Sequence, residues 1–170
     1  RRDFGLEAHG HARLVFSMLD AGMLLAILRE TLTIRRRLDE GDLERVRLLP
    51  PQAPCVVPGL SLPCNGEQLR RWAQQREAEI CGVLDSFSPA DCKEPGSDGL
   101  QVLDLITPHQ WQLDGKPVVE RILLMLDDVQ KLTSVQRERL IHCIHDKRSS
   151  TPMWIAERLE ALSRNELLDQ

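Results

Sequence analysis

The residues best placed for chemistry are Asp127 and Asp128, which follow the run Ile122-Leu123-Leu124-Met125-Leu126 without a spacer. A strand covered on both faces must be apolar throughout, and this run is. Two carboxylates directly behind such a strand stand at the C-terminal edge of a sheet, where open α/β folds bind ligands. In phosphoryl-transfer sites built this way, one carboxylate accepts from a water on Mg²⁺ and the other orients the attacking water. Asp127 takes the metal-side role in this reading and Asp128 the catalytic one. The plain alternative is an apolar strand that ends in a solvated turn.

Other candidates have less behind them. His9 and His11 flank Gly10 in a stretch that reads as a solvated terminus. His142 and His145 share one helical face at i and i+3, but no third ligand has a defined place. Cys143 lies between them in sequence, with no base held against it by a fold. The five cysteines include no CxxC, so a thiolate zinc site is not expected, and reduced thiols in a cytoplasmic setting are the simpler reading. Trp72 and Trp154 fall on apolar phases and read as core.

Composition excludes further classes. The net charge is −4, and the basic run Arg35-Arg36-Arg37 is followed at once by Asp39, Glu40, Asp42 and Glu44. Charge therefore gives no support to nucleic-acid binding, which could enter only through a larger parent protein. Aromatics make up 4% with no Tyr, too few for a base-stacking platform. The longest apolar stretch, Ala21 to Leu28, is far short of the ~20 residues of a membrane span, and no signal peptide is visible.

The elements that must position the aspartates follow from periodicity and turn chemistry. Residues 12–37 read as one long helix, and Gly66–Phe87 as a second, with Asn65 and Gln68 forming a capping box. Five prolines between Leu48 and Pro63 make residues 48–64 an irregular connection, with Cys55-Val56-Val57 as a possible edge strand. Residues 88–99 read as a flexible polar loop, and Leu100–Ile106 as strand-like. After the aspartates, Thr133 and Gln136 form a second capping box opening a helix to about Asp146, with Val135, Leu140, Ile141 and Ile144 inward. Residues 152–156 are another short apolar run, followed by a polar, helix-like segment from Glu157. Strand, helix, strand, helix predicts a single α/β domain whose parallel sheet carries flanking helices, with a helix-rich N-terminal half. Residues 122–126 and 153–156 should be neighbouring parallel strands, because the segment between them is long enough for a crossover helix and too long for a hairpin. Asp127, Asp128, Glu157 and Arg158 should then collect at one sheet edge.

A family resemblance rests on these residues. LLMLDDVQKLTSVQRERLIHCI followed by TPMWIAERLEALS resembles bacterial ATPases related to the origin-recognition branch of the AAA+ class. The earlier segment SMLDAGMLLAILRETLTI is similar to a helix in those proteins, and the likeness covers about half the chain. It implies a partial P-loop NTPase-like core, with ATP and Mg²⁺ as cofactors and protein partners or self-assembly. Asp127 and Asp128 would be its Walker B pair, and the strand ending at Ala156 its sensor-1 strand. Glu157 and Arg158 would be cofactor-binding residues, Arg158 as a phosphate-facing or helix-packing arginine. The sequence departs from the pattern in two respects: the sensor-1-like strand ends Ala156-Glu157-Arg158 without the usual polar Asn or Thr, and no GxxxxGK[ST] occurs. Gly115-Lys116 is the only Gly-Lys pair, and it runs into Pro117. Either the phosphate loop lies upstream, as the start at Arg1 without Met suggests, or the chain is a non-catalytic interaction module of degenerate P-loop-like fold. In both cases these 170 residues alone are expected to be inactive.

Overall fold

The computed structural model describes residues 4–34, 40–52, 54–85, 99–147 and 151–156. It is a mixed α/β structure with three helices and two small sheets among those residues. Helix α1 spans Phe4–Ile34, α2 Gly66–Asp85 and α3 Ser134–Lys147. The first begins earlier than its periodicity suggested; residues 35–37 lie outside the described residues. Both expected capping boxes are formed. The Asn65 N–H donates to Gln68 Oε1 at 2.9 Å, and the Gln68 N–H returns to Asn65 Oδ1 at 2.8 Å. The Thr133 N–H donates to Gln136 Oε1 at 2.9 Å, and the Gln136 N–H to Thr133 Oγ1 at 3.3 Å. Each box satisfies two donors that the first turn leaves without a partner inside the helix.

The larger sheet corrects the expectation of a wholly parallel one. Strands β1 (Val46–Leu48), β2 (Cys64–Asn65), β3 (Trp111–Leu113) and β4 (Lys116–Pro117) form an antiparallel sheet in the order β2-β1-β3-β4. Its cause is local. Asp114 and Gly115 both have positive φ, 50° and 77°, the backbone of a two-residue hairpin loop, so β3 turns straight back into β4. Arg45 donates to both carboxylate oxygens of Asp114, tying the hairpin tip to the residue before β1 and holding that carboxyl below its ordinary range.

Two further segments differ from their predicted form. Val102–Leu105 is a 3-10 turn rather than a strand. The Asp20 carboxylate of α1, 4% exposed, accepts from the N–H groups of Gln101 and Val102 at 3.0–3.2 Å and so caps that turn. The apolar residues of the turn face the core, and the Trp111 indole N–H closes on Leu105 O at 2.9 Å. Cys55–Val57 forms no strand; Val57 makes only an isolated bridge to Leu60. This proline-rich connection is held to α2 instead, since Trp72 Nε1 and Arg76 Nη2 both donate to Pro58 O. The core joins α1, α2, the antiparallel sheet and the middle of α3 through Phe16, Leu24, Leu48, Leu69, Trp111 and Leu140. No helix among the described residues is long and apolar enough to cross a membrane.

Candidate functional site

Strands β5 (Leu124–Leu126) and β6 (Met153–Ile155) form a separate, two-stranded parallel sheet, joined through α3. The strand, crossover helix and strand therefore stand where the spacing placed them. Register pairs Leu124 with Met153, Met125 with Trp154 and Leu126 with Ile155. Alternation then divides the side chains. Leu124 and Leu126 are buried with the core, whereas Met125 and Trp154 are each 62% exposed on the other face. Trp154 is thus no core residue: among the described residues its strand has a bare side. On α3, Leu140 is buried and Ile144 packs on the core, but Val135 and Ile141 are exposed, because no layer covers that side of the helix among the described residues.

The ends of the two strands are laced together. The Ala156 N–H donates to Leu126 O at 2.8 Å, and the Val129 N–H to Ala156 O at 3.4 Å. The aspartates sit at this junction. Asp127 is exposed, and its Oδ1 accepts from the Asp128 N–H at 2.8 Å. Asp128 occupies the left-handed region (φ 60°, ψ 29°) at the head of the 3-10 turn Val129–Lys131. That conformation costs most residues on the order of 1 kcal/mol, least for Asp and Asn, whose short side chains bond locally. Here the side chain does so: Oδ1 accepts from Gln130 Nε2 at 2.8 Å, and Oδ2 from the Lys131 ammonium. The Lys131–Asp128 pair is solvent-exposed on the lysine side, so about 0.2–1 kcal/mol is at stake in it. Gln130 and Lys131 were missed by sequence reasoning, although a cation three residues after an acid was a readable signal.

Beside the junction lies an open hollow of about 480 Å³, lined by Met125, Asp127, Met153, Trp154 and Ala156 among others. Among the described residues its floor is apolar and Asp127 brings the one carboxylate of its lining. The structure thus brings Asp127 and Asp128 to one sheet edge; Glu157 and Arg158 lie outside the described residues.

The fit to a divalent cation depends on what else holds it. Among the described residues no group of three or more His, Cys, Asp or Glu side chains could hold a metal, which leaves His142 and His145 without a third ligand. Mg²⁺ is commonly held by only one or two carboxylates together with its waters and substrate phosphates; Asp127 is an exposed carboxylate beside the hollow. Burial pushes the Cys64 thiol up to about 11, with Arg47 opposing only in part, so Cys64 offers no ready thiolate. No family model, curated protein or solved structure matches this chain.

Proposed function

We propose that the chain is part of an AAA+-like ATPase that couples ATP binding and hydrolysis to conformational change in a larger assembly. The observation that carries this reading is the parallel pairing of β5 with β6 around α3, with both aspartates immediately beyond β5. Open α/β sheets place their ligands at that edge. Bound Mg²⁺ would supply charge neutralisation on the phosphates. For its part, the chain offers Asp127 as an exposed acceptor toward the metal's water shell. Asp128 would orient the attacking water. Glu157 and Arg158 keep the phosphate-side role that the resemblance implies. The reading requires a phosphate loop supplied by a segment other than these residues, because backbone N–H groups and a lysine must hold the phosphates.

A second reading, a non-catalytic interaction module, is favoured by two observations. Both oxygens of the Asp128 carboxylate accept bonds from its own turn, and the exposed Met125 and Trp154 offer apolar surface to a protein partner or a second copy. Nucleotide binding separates the two. In a parent protein carrying a phosphate loop, Asp128→Asn should keep its ATP affinity, while Asp127→Ala should lose most of the gain that Mg²⁺ gives. Fluorescent-nucleotide titrations with and without Mg²⁺ measure both. Equal Mg²⁺ dependence in wild type and Asp127→Ala would remove the metal-side assignment and leave the interaction module.

A further inference from the structure

We draw no further inference here: the strongest candidate, the bare apolar face of the two-stranded parallel sheet formed by Met125 and Trp154, carries nothing beyond the reading above because nothing in the structure shows what covers it.

Discussion

The two aspartates differ at the level of single atoms, although they are adjacent in sequence. Asp127 receives one backbone N–H and otherwise faces solvent, whereas both oxygens of Asp128 are held by the turn that follows. A carboxylate with one bond on each oxygen keeps further lone pairs for a water, but its orientation is set by the two donors that hold it. Its weak point is the exposed ammonium of Lys131 rather than the amide of Gln130. The cysteines allow a separate test of the description at this scale. Cys81 is exposed on α2, whereas Cys64 is buried in β2 with its thiol raised from 9.0 to about 11. Because the folded state holds that proton more tightly than the unfolded chain, the contribution to stability is complete below pH 9.0 and is lost as pH rises toward 11. Iodoacetamide at pH 8 should therefore modify Cys81 quickly and Cys64 only on unfolding, as peptide mass spectrometry would read. Equal labelling of the two in the native protein would contradict the placement of β2 in the core.

At the scale of elements, the long-range carboxylate of Asp20 decides a conformation that propensity alone does not. Leu100–Ile106 is apolar enough to be a strand, yet two backbone donors at its start bond a side chain 81 and 82 residues away in sequence. Asp20→Ala should leave those donors unpaired in a buried place and cost about 1–3 kcal/mol. Urea denaturation followed by far-UV circular dichroism measures this, and an unchanged midpoint would show that the cap is dispensable. The β5–β6 sheet carries the opposite problem, since Met125 and Trp154 project from a face that parallel sheets normally cover. Replacing both by Glu should reduce self-association at high protein concentration with little loss of stability, because neither side chain is buried. Sedimentation velocity across a concentration series gives the answer; the same distribution for wild type and variant would mean that this face does not drive association.

For the whole molecule, what could be read from the sequence was whatever is encoded within a few residues. Asn65 with Gln68 and Thr133 with Gln136 are short-range signals that opened α2 and α3 correctly, and the spacing of two apolar runs around α3 foretold their parallel pairing. Asp114-Gly115 was an equally local hairpin signal and went unread, because Gly115-Lys116 drew notice only as a failed phosphate loop. The exposure of Trp154 was not legible at all. Its neighbours in sequence are apolar, and whether a strand's second face is covered depends on residues elsewhere in the fold. Antiparallel pairing of β1 with β2 and with β3 was hidden for the same reason, as the ladders join segments separated by prolines and by helix α2. The candidate site divides likewise: its acidic edge is written in one short stretch, while no GxxxxGK[ST] loop occurs in the sequence.

The central claim, that Asp128 orients water for ATP hydrolysis, is tested most directly by steady-state phosphate release from a parent protein carrying both a phosphate loop and these residues. Asp128→Asn preserves the size of the side chain and its acceptor to Gln130 while removing the carboxylate. The variant should still bind ATP, with its Mg²⁺-dependent turnover reduced by roughly 10²-fold or more, the usual contribution of a positioned acid–base group. Turnover equal to that of the wild type would rule out this role for Asp128.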